Sequence, residues 1–434
     1  MREPFFYESE SIMKVLAIKM DKCIAVIITI AFLFSGCSTD FLQNDKSNPG
    51  ITKSPPVVDL GRGKLSTLPL YERYKPALLQ VDLRSYDLTA SYLKDRYSEL
   101  IHADFDTHTR WPYALPKDFD PKRIIEYGKN PGLKVRTLHK QGVTGKGVGV
   151  AIIGGALLVN HVEYRDSLKL YEEMDCLDRT ATISGCAAAS AVAGKSTGVA
   201  PGVNLYYIAQ TLNDNGVPNT GTLDGNESSV PDYSKLAEAI GRVVEINKKL
   251  QEGNKIRVLL TGRGWNSGYA GYDDVIKAVD RAKQDGIFVI SGSLYETYDC
   301  EMDYNGLGRP PLADPDEAAS YGPGQNWAGS FFMFGRYTHA AEALLAPMDS
   351  RCTASPTGYR DYAFYNTGDM DMSAAYIAGV YALACQVEPD ITPQAFWGKA
   401  LETGDTVSVK NIHMNHEYKL QKLVNPLKLI HGLS

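Results

Sequence analysis

Four short, nearly unbroken apolar runs rich in β-branched residues constrain this chain more than any other feature: Val148–Ile153, Leu205–Ile208, Ile256–Thr261 and Ile287–Ile290. A strand that is apolar at almost every position has both faces buried, and sheets covered on both faces are mostly parallel. Stretches of helical period lie between and after these runs. Within Tyr233–Leu250, the residues Leu236, Ala239, Ile240, Val243 and Val244 share one face. Val275, Ile276, Ala278, Val279 and Ala282 do the same ahead of Gly286. Strands alternating with helices across short turns predict an α/β fold: a doubly wound, mostly parallel sheet with helices on both faces.

The net charge of −6 comes from 45 basic and 51 acidic residues dispersed along the chain. There is no basic block of the kind a nucleic-acid surface needs, so nucleic acid is not an expected partner. After Met20-Asp-Lys22 comes an apolar run, Cys23–Phe34. It is shorter than the roughly 20 residues that span a bilayer and suits a signal-peptide core. It ends at Phe34-Ser-Gly-Cys37, which resembles the lipobox of bacterial lipoproteins, where the Cys is acylated and becomes the first residue. The resemblance implies a signal region over 1–36 with translation starting at Met13 or Met20. It also implies a lipid on Cys37 and an envelope location facing the periplasm or the exterior. A plain secretory signal with an incidental Cys is the alternative.

Composition divides the rest. Residues 37–80 are polar and Pro/Ser/Lys-rich, as in a flexible tether. Residues 81–139 form an N-terminal extension denser in Tyr, Trp and Leu, and 140–434 carry the α/β pattern. Asn213–Pro231 and 295–340 read as long loops, the second including the aromatic stretch Trp327–Tyr337. Five cysteines follow Cys37, at 176, 186, 300, 352 and 385. An odd, widely spaced set indicates neither a disulfide framework nor a zinc site. No cofactor and no metal are expected. The carboxylates of Asp303–Asp316 offer calcium only weakly, without calcium-loop spacing. Ala193-Gly-Lys-Ser-Thr197 echoes a phosphate-binding loop but lacks its leading glycine.

Three segments in order resemble the subtilase (subtilisin-like serine peptidase) family. Val143-Thr-Gly-Lys-Gly-Val-Gly-Val-Ala-Ile-Ile-Gly-Gly155 is similar to the family's turn and first core strand. Ile183-Ser-Gly-Cys-Ala-Ala-Ala-Ser-Ala-Val-Ala-Gly194, followed by Gly198-Val-Ala-Pro-Gly202, is similar to its His segment. Gly368-Asp-Met-Asp-Met-Ser-Ala-Ala-Tyr-Ile-Ala-Gly379 is similar to its Ser segment at the head of an apolar helix. The resemblance covers about 140–402 and implies a subtilisin-like fold with a peptide-binding cleft.

The chemistry departs from the family. A serine peptidase needs a hydroxyl nucleophile, an imidazole to take its proton and a carboxylate to orient that imidazole. By the resemblance these roles fall on Gly154, Ser184 and Asp371, and none carries the required group. By the same resemblance the strand Phe288–Leu294 ends where the family places its oxyanion-hole Asn, and no Asn is present there. The substrate-lining segment reads Gly262-Arg263-Gly264, so Arg263 is expected to set a bulky cation near the cleft, with Gly262, Gly264 and Ser293 lining it. Ser and Asp are good helix caps, so Ser184 and Asp371 are expected to cap the helices they begin, adding about 1 kcal/mol each. His161 and Ser373 are the nearest alternatives for a rebuilt triad. The expected function is an inactive peptidase-like envelope lipoprotein that binds peptide or protein. An active endopeptidase with a non-standard constellation, or a structural lipoprotein, is the alternative.

Overall fold

The computed structural model describes residues 50–72, 80–211, 232–324, 342–411 and 415–433. The signal region, Cys37, the loop Asn213–Pro231 and the aromatic stretch Trp327–Tyr337 lie outside the described residues.

All four predicted runs are strands of one parallel sheet. The strands are β1 (Gly149–Gly154), β2 (Leu168–Glu173), β3 (Asn204–Ala209), β4 (Ile256–Thr261) and β5 (Phe288–Ile290), in the order β2-β3-β1-β4-β5. Alternate residues serve opposite faces. Val150 and Ile152 of β1 join one core with α1 (Ile183–Ala193) and α4 (Met370–Val387). Ala151 and Ile153 join another with α2 (Ser234–Lys249) and α3 (Tyr272–Gln284). Both faces are covered, which is why the strands are apolar throughout. Helices α1 and α4 are themselves buried nearly all round, consistent with their run of Ala and lack of a polar face. Strand β2 escaped the sequence reading because it is an edge strand whose Lys169, Glu172 and Glu173 break the apolar pattern.

A second sheet continues the chain: β6 (Tyr304–Gly308), β7 (Gly322–Pro323), β8 (Leu344–Pro347), β9 (Asp405–Asn411) and β10 (His416–Leu423). Its order is β9-β10-β8-β6-β7, with β8 parallel to β6 and β10. Part of the expected loop over 295–340 is thus strand.

Packing is continuous across the composition changes near 80 and 140: Leu68 shares a cluster with Val81 and Leu83, and Val135 and Leu138 share one with Val148 and Val150. Strand Ala103–Asp106 pairs antiparallel with Tyr362–Tyr365 within a four-stranded sheet completed by Val81–Asp82 and Arg351–Ala354. Phe105, Phe119 and Ile124 pack there with Cys352 and Phe364. Part of the expected tether is also docked: Ile51 bridges Tyr171 on the edge strand, and Lys53 meets Glu173 at 2.6 Å. Polar composition suggested flexibility, but backbone pairing to an open sheet edge needs no apolar side chains.

Candidate functional site

In an open α/β sheet, ligands bind beyond the carboxyl ends of the strands, and the three positions singled out by sequence converge there. Ile153 is registered with Thr261, so Gly154 and Gly262 emerge side by side from β1 and β4. Helix α1 begins against β1, where Thr182 donates its N–H to Ala156 O (2.7 Å) and its side chain abuts Gly155. Ser184 lies two residues on and is exposed. Helix α4 brings Asp371 to Gly262, where its Oδ2 stands 2.8 Å from the place a Cβ would occupy. Gly262 therefore makes room for the Asp371 carboxylate.

Gly154 has a different occupant. A Cβ there would lie 2.8 Å from the hydroxyl of Tyr207, a fully buried residue of β3 that donates to Gly155 O at 2.7 Å. The space beside the end of β1 is filled by a phenol. Sequence reasoning missed Tyr207 because it compared triad positions one at a time; the neighbour on the paired strand carries the information.

The capping expectation needs correction. Thr182 caps α1 by accepting from Gly185 N (3.1 Å), and Asp369 caps α4 by accepting from Met372 N (3.4 Å). Ser184 and Asp371 sit two residues inside their helices, too far along to cap. Asp371 is half-buried in a recess; that burial, with the charge of Asp369 adding to it, raises its pKa to about 7. Its charged form is disfavoured rather than stabilising.

The cleft-lining expectation is also revised. Ser293 is buried and linked both ways to Trp265, its Oγ accepting from Trp265 N and donating to Trp265 O, each at 2.8 Å. Gly264 and Gly292 are in backbone contact, with a Cβ on Gly264 reaching Gly292 C at 3.1 Å. The strand ends of β4 and β5 are therefore zipped together at this point. The Arg263 guanidinium lies over the Tyr233 ring, 5.0 Å from its centroid.

Neither candidate for a rebuilt triad is placed for chemistry. His161 is fully buried and accepts from Glu163 N through Nδ1 (3.2 Å), which assigns the proton to Nε2 for donation to Asp361 O (2.9 Å). Burial holds its pKa below the usual histidine value. Ser373 is also fully buried, its Oγ 3.3 Å from the carbonyls of Ala346 and Pro347.

The other sequence candidates have local explanations. The backbone and hydroxyl of Ser196, in the loop that echoed a phosphate site, donate to the buried carboxylate of Glu163 at 2.7 Å. Asp316 accepts from Lys134 N (2.8 Å) and Asn130 Nδ2 (3.0 Å), tying the extension to its loop. A cavity of about 490 Å³ lies away from the sheet edge, lined by residues 57–63, Ser85, His108 and Thr357.

The recess at Asp371 makes a pH-dependent prediction. A carboxyl whose folded pKa is raised binds more protons folded than unfolded between its ordinary value near 3.8 and about 7. Stability then falls as pH rises through that window and levels off above it. The substitution Asp371→Asn removes this dependence. The Tm difference, variant minus wild type, should be larger at pH 8 than at pH 5; an equal difference would show that Asp371 titrates normally.

A scan against protein-family models finds none that matches this chain, and a search of curated proteins finds no match. Solved structures similar to it include the prenylagaramide maturation protease PagA, at 16% identity over 69% of this chain and 98% of that one, with a TM-score of 0.43. The PatG macrocyclase in complex with peptide is similar at 14% identity over 69% and 95%, TM-score 0.43. A protease from Pseudoalteromonas arctica PAMC 21717 is similar at 16% identity over 73% and 99%, TM-score 0.47.

Proposed function

We propose that this chain is a subtilisin-like domain that does not cleave peptides, carried at the bacterial envelope by a lipid on Cys37. The observation that carries this reading is the Tyr207 hydroxyl beside Gly154. Losing a catalytic side chain leaves a hole that a rearranged neighbour could fill with new chemistry, whereas a buried phenol bonded to Gly155 O leaves no room for an orienting carboxylate. Without an imidazole at 184 or a hydroxyl at 371, proton transfer and nucleophilic attack both lack a group. The remaining capacity is binding of a peptide or protein segment along the sheet edge at Gly262 and Asp371.

A second reading, a structural envelope lipoprotein, is favoured by the contact of Gly264 with Gly292 and the Ser293–Trp265 links, which close part of the edge. A mixed peptide library separates the two. Binding predicts peptides retained intact, with retention changed by Asp371→Asn; the structural reading predicts none retained. Recovery of shortened peptides, lost on Asp371→Ala, would overturn both in favour of a working endopeptidase. Lipid attachment is tested by labelled palmitate, with incorporation expected in the wild type and absent in Cys37→Ala.

A further inference from the structure

We infer that residues 50–58 are a releasable latch, docked on the outer edge of the parallel sheet, whose release loosens the first turn of α1 without unfolding the body of the protein. The segment runs along edge strand β2. Ile51 pairs parallel with Tyr171, whose N–H donates to Gly50 O at 2.8 Å. The N–H and the hydroxyl of Thr52 donate to Tyr171 O at 3.1 and 2.9 Å. Lys53 Nζ reaches Glu173 Oε2 at 2.6 Å, and the Tyr171 hydroxyl donates to Oε1 of the same carboxylate at 3.0 Å. Position 50 has to be glycine for this approach, since a Cβ there would collide with Lys169 O. Further on, Pro56 O accepts from Ala181 N at 3.0 Å, and Val58 N donates to Pro356 O at 2.9 Å.

Both attachments lead to the candidate site. The Tyr171 ring stacks on Tyr207 (centroids 5.9 Å apart, 22° between planes), the residue whose hydroxyl stands beside Gly154 and donates to Gly155 O. Ala181 immediately precedes Thr182, which caps α1, donates its N–H to Ala156 O and lies against Gly155. The loop between β2 and α1 is tied to the same stretch by Asp178, whose Oδ2 accepts from Ala156 N at 3.0 Å. The latch on one side and the end of β1 on the other thus fix the turn that presents Ser184. The latch itself is held lightly. Of residues 50–58 only Pro55 is buried, and Thr52, Lys53, Pro56 and Val57 are exposed. Segments with few buried apolar contacts and solvent-facing backbone bonds open locally, well below the cost of global unfolding, and an exposed ion pair adds little resistance. Cys37 precedes this segment in the chain, so tension arriving from that side falls on these contacts first. The inference holds whether or not the site binds peptide.

The test is residue-level hydrogen exchange on the full chain in detergent, comparing wild type with Gly50→Val and Thr52→Pro. In the wild type, the Tyr171 and Ala181 amides should be protected at least about 100-fold less than those of Val150 and Ile152 in the sheet core. In either variant, protection at Ala181, Thr182 and Gly185 should fall at least about tenfold further, with Val150 and Ile152 unchanged; one variant that folds suffices. The inference is overturned if Tyr171 and Ala181 exchange at the rate and with the denaturant dependence of the core, which would make the segment a permanent part of the global unit. Faster exchange at Tyr171 with Ala181, Thr182 and Gly185 as in the wild type would overturn the coupling to α1. Failure of both variants to fold would overturn it as well, because a latch opens without unfolding the body it closes on.

Discussion

Replacing Gly154 with Asp should destabilise the protein by about 2–4 kcal/mol and restore no activity, even combined with Ser184→His and Asp371→Ser. About 1–3 kcal/mol of this is overpacking, because the new Cβ would lie 2.8 Å from the Tyr207 hydroxyl. The remainder is the burden of a partly buried carboxylate without a cation. The hydroxyl can be tested alone. Tyr207→Phe removes it at a cost of about 1 kcal/mol for the lost bond to Gly155 O, and the nearest remaining ring atom, Cζ, is 3.7 Å away, an ordinary contact. Gly154→Ala should therefore cost about 1–3 kcal/mol in the wild type and under about 1 kcal/mol in the Tyr207→Phe background. Additive effects in denaturant unfolding would mean that Tyr207 does not occupy the site.

Phe105→Ala should cost about 3–5 kcal/mol, a large share of the stability of an ordinary domain. Phe105 is 1% exposed, with ring centroids of Phe364 and Trp111 at 5.2 Å and of Phe119 at 6.3 Å. Its strand also supplies backbone hydrogen bonds to Tyr362–Tyr365, which lies just before the helix that carries Asp371. The extension therefore contributes to the same cooperative unit as the candidate site, and an intact chain is expected after purification. Guanidinium unfolding of Phe105→Ala against the wild type measures this. A cost under 1 kcal/mol, or a separate early transition for the extension, would show that it packs loosely and is dispensable.

The sheet was legible because both of its faces are buried: Val150 with Ile152 and Ala151 with Ile153 had to be apolar, and a run apolar on both faces has few alternatives. Helices α2 and α3 were legible for the complementary reason, each having one buried face. Illegible elements depended on partners distant in sequence. Strand Ala103–Asp106 carries two buried acids, Asp104 and Asp106, whose hydrogen-bond partners include Asn366, Ser85 and Thr109. The same limit applies at the site. Ser184 and Asp371 were correctly assigned to the first turns of helices, but which residue caps each turn depends on backbone geometry a residue or two earlier, at Thr182 and Asp369. Tyr207 matters because the register sets it beside Gly154, which no single segment reveals.

The most direct test of the central claim is labelling of the wild-type protein with a fluorophosphonate serine-hydrolase probe, run beside a casein-cleavage assay. The account predicts no labelling and intact casein, because Ser184 is exposed with its Oγ directed to the Thr182 hydroxyl at 3.5 Å and Ser373 is sealed in the core. Stoichiometric labelling that disappears on changing a single serine, with casein cleavage lost in parallel, would contradict it and identify a working nucleophile.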